Sequence, residues 1–150
     1  MRNSSYIPAV SQPTSANFTC KPPELCEWAT RKKHILIVED NPLLQHFHSM
    51  WLNDLGYAVT VVDAGEDALR KNLANYDLVL MDLELPGDDG ITITQKLLKN
   101  NPQLNLPVVA CTSHAEADMK AACIAAGMVG YLQKPISPTL LERSLKAYLT

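Results

Sequence analysis

The segment LVLMDLELPGDDG (78–90) opens on four apolar residues and then presents a carboxylate, Asp82. An uninterrupted apolar run of this length suits a strand buried on both faces, as in a parallel sheet covered by helices on both sides. Similar runs stand before and after it. ILIV (35–38) meets Glu39 and Asp40, and VVAC (108–111) ends on Thr112. YAVTVV (57–62) is β-branched and strand-like, and YLQ (131–133) is a shorter strand that meets Lys134.

Helical patterns lie between these runs. Asn41 and Pro42 supply a cap and a first position. Leu44, Phe47, Trp51 and Leu55 then form a stripe predicted to be buried, and Gly56 stops that helix. Residues 66–73 and 91–99 read as two further helices. Residues 116–126 form an alanine-rich helix closed by Gly127. In the last helix, 138–149, Leu141, Leu145 and Leu149 share a face. Five strands alternating with five helices predict an α/β, doubly wound, five-stranded parallel sheet.

In a parallel sheet the carboxyl ends of the strands share one edge, where ligands bind. Glu39, Asp40, Asp82, Thr112 and Lys134 all fall there, although only the first two are neighbours in sequence. Three crowded carboxylates repel one another and raise one another's pKa. A hard divalent cation such as Mg²⁺ relieves that repulsion and leaves positions for a phosphoryl oxygen. A carboxylate can attack phosphorus to form an aspartyl phosphate. The charge on the transferring group would be met by the cation, the Lys134 ammonium, the Thr112 hydroxyl and backbone N–H groups. Asp82, at the end of a central strand, is the best candidate nucleophile.

The pieces ILIVEDN (35–41), LVLMDLELPGDDG (78–90), VVACTS (108–113) and GYLQKP (130–135) resemble, in this order and spacing, the response-regulator receiver family. The resemblance covers residues 33–150 and implies a flavodoxin-like strand order, 2-1-3-4-5. It implies that Asp82 is the phosphoacceptor. Glu39, Asp40, Asp82 and the backbone carbonyl of Glu84 would hold Mg²⁺ or Mn²⁺. Lys134 would pair with the phosphoryl group and precede a cis bond to Pro135. Thr112 and Tyr131 would be the switch pair, signalling through the face made by the fourth helix, fifth strand and fifth helix. Glu84 and His114, two residues after the aspartate and the threonine, would tune dephosphorylation. The implied partners are a sensor histidine kinase or a histidine phosphotransfer protein upstream and a target protein downstream. A phosphorylation-dependent dimer also fits the resemblance.

Other residues read as structural. Cys111 and Cys123 sit in apolar contexts and suit a core. Gly87 and Gly90 suit turn geometry, and Asp88 and Asp89 a solvated turn and helix cap. His46 and His48 are expected at the surface, as are Lys96 and Lys99. Residues 1–32 hold four prolines and no sustained apolar period, and read as a tail or linker. Within them Leu25 and Trp28 could share a helical turn, while Cys20 and Cys26 match no common zinc spacing.

The chain is 47% hydrophobic and 19% charged, with a net charge of −3, which argues against a nucleic-acid backbone as main partner. No apolar stretch approaches the roughly 20 residues that span a bilayer, and the first residues lack a signal-peptide pattern, so a cytoplasmic protein without a membrane partner is expected. A signalling module, not an enzyme, is the leading expectation. With no effector domain in sight after the last helix, output is expected through binding. A phosphate shuttle or sink, or the receiver portion of a hybrid kinase, is the alternative. A haloacid-dehalogenase-type phosphatase would want a second aspartate where Glu84 stands.

Overall fold

The computed structural model describes residues 31–114 and 116–149. Five strands pair throughout in parallel: β1 (His34–Val38), β2 (Ala58–Val62), β3 (Leu78–Asp82), β4 (Val108–Thr112) and β5 (Gly130–Gln133). Their order is β2-β1-β3-β4-β5. Among the described residues the helices are α1 (Pro42–Asp54), α2 (Gly65–Leu69), α3 (Gly90–Asn100), α4 (Ala117–Ala125) and α5 (Pro138–Leu149), with a 3-10 turn at Leu73–Asn75. This is the doubly wound five-stranded sheet with five helices that the apolar runs and the family resemblance predicted. The tail, with Leu25, Trp28, Cys20 and Cys26, lies outside the described residues.

Alternation along the strands divides the core in two, because successive side chains point to opposite faces. Leu36, Val38, Val79, Met81, Val108 and Ala110 pack with Ala68, Ile93, Leu97 and Cys123, against α2, α3 and α4. Ile35, Ile37, Leu78, Leu80, Val109 and Cys111 face the other way and pack with Leu52, Leu141 and Leu145, against α1 and α5. Every residue of β3 and β4 is buried, as their unbroken apolar runs require. The edge strands β2 and β5 are only partly covered. Cys111 and Cys123 are buried free thiols, as expected, and burial pushes the Cys111 thiol up to about 12.

Two helices differ from the sequence reading. In α1 the buried positions are His48 and Leu52; Leu44, Phe47 and Trp51 are half-buried and Leu55 is exposed. The helix is rotated from the predicted stripe, so His48 is 3% exposed rather than at the surface. His46 is exposed as expected. The predicted helix over 66–73 stops at Leu69. Asn72 then accepts from the Ala74 N–H at 3.2 Å and caps the separate 3-10 turn, in keeping with the preference of asparagine for caps over helix interiors.

The segments that lead into the sheet edge are fixed locally. Asn41 caps α1 by accepting from the Leu43 N–H at 2.9 Å, with Pro42 in the first turn. Asp89 caps α3 by accepting from the Thr92 N–H at 2.8 Å, while Asp88 pairs with Lys96 at 2.6 Å. Gly90 opens α3 directly against the end of β3, where a side chain would collide with the Asp82 carbonyl oxygen and the Leu83 backbone. Its role is therefore close approach, beside the turn at Gly87, whose φ is +78°.

Candidate functional site

The register brings the strand ends level. Val38 pairs with Met81, Asp82 with Cys111, and Thr112 with Gln133. Each next residue therefore emerges at the same edge. Backbone bonds extend the alignment: Lys134 N–H donates to the Thr112 carbonyl at 2.7 Å, and Glu39 N–H to the Val62 carbonyl at 3.1 Å. Glu39, Asp40, Asp82, Thr112 and Lys134 thus share one cleft.

Within it, one carboxylate oxygen each from Glu39, Asp40 and Asp82 lies within 4.8 Å of the other two. Glu39 and Asp82 are buried and Asp40 is exposed, so the cluster is rooted in the sheet and open to solvent on one side. Lys134 Nζ bridges the buried pair, 3.0 Å from Asp82 Oδ1 and 3.3 Å from Glu39 Oε1. Its side chain is 13% exposed. The Glu84 N–H also donates to Asp82 Oδ1, at 3.0 Å. Lys134 is followed by a cis bond to Pro135.

These carboxyls carry the cost of crowding. Burial first, then the hydrogen bond and charge of Asp82, push Glu39 up to about 7, while Lys134 and the Asn41 N–H pull it back. Burial alone would lower the Lys134 ammonium, but its bonds to Asp82 and Glu39 and their charges outweigh that and raise it. The cleft is thus short of positive charge. Three hard oxygen donors around one point suit a divalent cation better than they suit one another.

Thr112 is 1% exposed. Its hydroxyl lies 2.6 Å from Glu84 Oε2 and 3.2 Å from the His114 carbonyl, and it accepts from the His114 N–H at 3.0 Å. The His114 side chain is exposed, with Nδ1 3.9 Å from Glu116. Tyr131, on β5, is 38% exposed, and Lys120 Nζ of α4 stands 4.8 Å from its ring centroid.

Three contacts were not anticipated from sequence. Gln45 Nε2 donates to the Glu39 carbonyl at 2.5 Å and to Asp63 at 2.6 Å, tying the acidic loop to α1. Lys120 covers Tyr131. The Glu84 side chain turns into the cleft. The family resemblance singles out position 84, but no local pattern tells where a loop carboxylate will point.

A parallel α/β sheet that gathers an acidic cluster, a buried hydroxyl and a lysine at its carboxyl edge defines the receiver class of signalling module. The chain belongs to the response-regulator receiver family, whose sequence model, described as the response regulator receiver domain, matches residues 35–146. It is 36% identical over 115 residues to the sensor histidine kinase RcsC of Salmonella typhimurium and 38% identical over 119 residues to GacS of Pseudomonas protegens. These matches cover 76% and 77% of this chain, but only 12% and 13% of those kinases. The transcriptional regulatory protein ResD of Bacillus subtilis is 32% identical over 121 residues, 80% of this chain and 49% of ResD. Among solved structures, the chemotaxis protein CheY4 of Vibrio cholerae superposes with a TM-score of 0.74 at 25% identity, covering 79% of this chain and 99% of CheY4. The receiver domain of the sensor histidine kinase PA1611 of Pseudomonas aeruginosa, solved with magnesium in its active-site cleft, gives a TM-score of 0.70 at 35% identity, covering 79% and 98%.

Proposed function

We propose that Asp82 accepts a phosphoryl group from a phosphohistidine and that the resulting charge resets the α4-β5-α5 face. The observation that carries this is the placement of Asp82, 2% exposed at the centre of the cleft, with Lys134 3.0 Å away and two further carboxylates beside it. In the step, an Asp82 oxygen attacks phosphorus, the P–N bond of the donor breaks, and the departing imidazole keeps the electron pair and takes up a proton. Glu39, Asp40, Asp82 and the Glu84 carbonyl would hold Mg²⁺ or Mn²⁺, which when bound supplies charge neutralisation for the phosphoryl oxygens. Lys134 holds the carboxylate and then a phosphoryl oxygen. Thr112 supplies a hydroxyl to another oxygen, and Tyr131 follows it inward. Glu84 and His114 flank the path of the hydrolytic water and set the lifetime of the acyl phosphate.

The receiver domain is assigned to 33–150, in line with the family match, and 1–32 to a tail or linker. A phosphohistidine donor draws on ATP, which favours the cytoplasm; a sensor kinase or a phosphotransfer protein would supply it, and a target protein would read the switched face. The same activity fits a stand-alone regulator, a phosphate shuttle, or the receiver portion of a hybrid kinase. The likeness to the receiver-sized portions of RcsC and GacS favours the last.

Acetyl phosphate with Mg²⁺ tests the reading by intact mass. The wild-type chain should gain one phosphoryl group, with none on Asp82→Asn and none when the cation is chelated. Undiminished labelling of Asp82→Asn would overturn the assignment.

A further inference from the structure

The Glu84 carboxylate already makes the contacts that a phosphoryl group on Asp82 would need. Its Oε2 lies 2.6 Å from the Thr112 hydroxyl and accepts from the Ser113 N–H at 3.3 Å. Its Oε1 lies 3.4 Å from the Ser113 N–H, 3.4 Å from Ser113 Oγ and 3.8 Å from Lys134 Nζ. Lys134 Nζ stands 3.0 Å from Asp82 Oδ1, and Thr112 and Ser113 close and follow β4, the strand paired with β3. The proposed function gives the phosphoryl oxygens to this lysine, this hydroxyl and nearby backbone N–H groups. One planar anion therefore engages a hydroxyl, an amide and an ammonium that a tetrahedral anion would claim. The Glu84 side chain is 38% exposed, so it closes the mouth of the cleft from outside and has solvent to retreat into.

Resting on the reading of Asp82 as phosphoacceptor, we propose that the Glu84 side chain is a resident anion in the phosphoryl subsite. It must swing out before Asp82 can be phosphorylated, and so it discriminates among phosphodonors. Two physical consequences follow. Charge-assisted hydrogen bonds are the strong ones, and those of Glu84 must be surrendered before the incoming group can make its own. A small anionic donor brings no other contacts to offset that loss and also meets the carboxylate's charge. A protein donor docks over a wide surface, and its interface can drive the displacement. Glu84 thus selects for protein phosphodonors over small acyl phosphates.

The test uses the full chain with Mg²⁺ and two probes: the phosphoryl analogue beryllofluoride, titrated by calorimetry, and acetyl phosphate, followed by intact mass. Glu84→Ala removes the carboxylate. Glu84→Asp keeps the charge but shortens the arm by about 1.5 Å, breaking the reach to Thr112 and Ser113. Both substitutions leave the backbone carbonyl in place. Occupancy predicts that both variants bind beryllofluoride about tenfold more tightly and react faster with acetyl phosphate, a tenfold gain being worth about 1.4 kcal/mol. If Glu84→Asp matches the wild type while Glu84→Ala gains, the effect is charge at a distance and the resident-anion proposal is overturned. Unchanged or weaker binding in both variants overturns it too. Acetyl phosphate labelling at Asp82 in the wild type alongside either of those results leaves the phosphoacceptor reading standing. Labelling of none of the three chains overturns both.

Discussion

At Asp82 three demands meet: burial, an acidic neighbourhood and a lysine. Lys134 ties Asp82 to Glu39 across the cleft, so removing its ammonium would leave two buried carboxylates without their shared cation. The more surprising residue is His48. Burial, then the charge of Lys134, depresses its imidazolium, with Asp82 opposing. The fold therefore holds neutral histidine, and its pKa lies below 6.5. Above that value folded and unfolded chains are both neutral at this site, and the full stability is present. As pH falls below it, the unfolded chain takes up the proton first, and stability is lost at up to about 1.4 kcal/mol per pH unit until the folded pKa is passed. His48→Leu should flatten this limb. Urea melts of both chains at pH 7.5 and 5.5, in buffer without divalent cation, measure it, and parallel losses in the two would rule out His48 as the cause.

At the scale of elements, the strands were legible and the helix faces less so. A run such as LVLM (78–81) has one interpretation once both its ends are polar, and β3 follows it with every residue buried. In α1 the apolar residues Leu44, Phe47, Trp51 and Leu55 predict the buried stripe. The packing against the sheet and α5 instead places His48 and Leu52 inside. Hydrophobic patterning cannot rank a neutral histidine against a leucine when the histidine can bury its ring, here tilted against Trp51 at 5.8 Å between centroids. The α4-β5 pair gives a prediction at this scale. Lys120 lies over the Tyr131 ring on the outside of the sheet, a contact worth about 0.5–1 kcal/mol at an exposed site. If Tyr131 turns inward on activation, that contact favours the resting state. Lys120→Ala should then raise the apparent affinity for beryllofluoride about two- to fivefold, read by the same calorimetry, and should leave it unchanged if Tyr131 does not move.

Over the whole molecule, a five-stranded parallel sheet turns sequence-distant residues into neighbours. That Glu39, Asp82, Thr112 and Lys134 share one edge was legible because each stands at the end of a strand pattern. The two-sided core keeps those ends level by packing every strand of the centre from both faces. The side-chain traffic inside the cleft was not legible, since the direction of Glu84 and the reach of Gln45 depend on loops whose conformation no periodicity encodes. The site fits the receiver family to which the chain belongs, and its proposed chemistry turns on a single residue, Asp82. Borohydride reduction of the chain after treatment with acetyl phosphate and Mg²⁺ converts a phosphorylated aspartate to homoserine, and peptide sequencing then identifies the position. Homoserine is expected at 82 alone. Homoserine at 40, or a phosphorylated chain that yields none at 82, would contradict it.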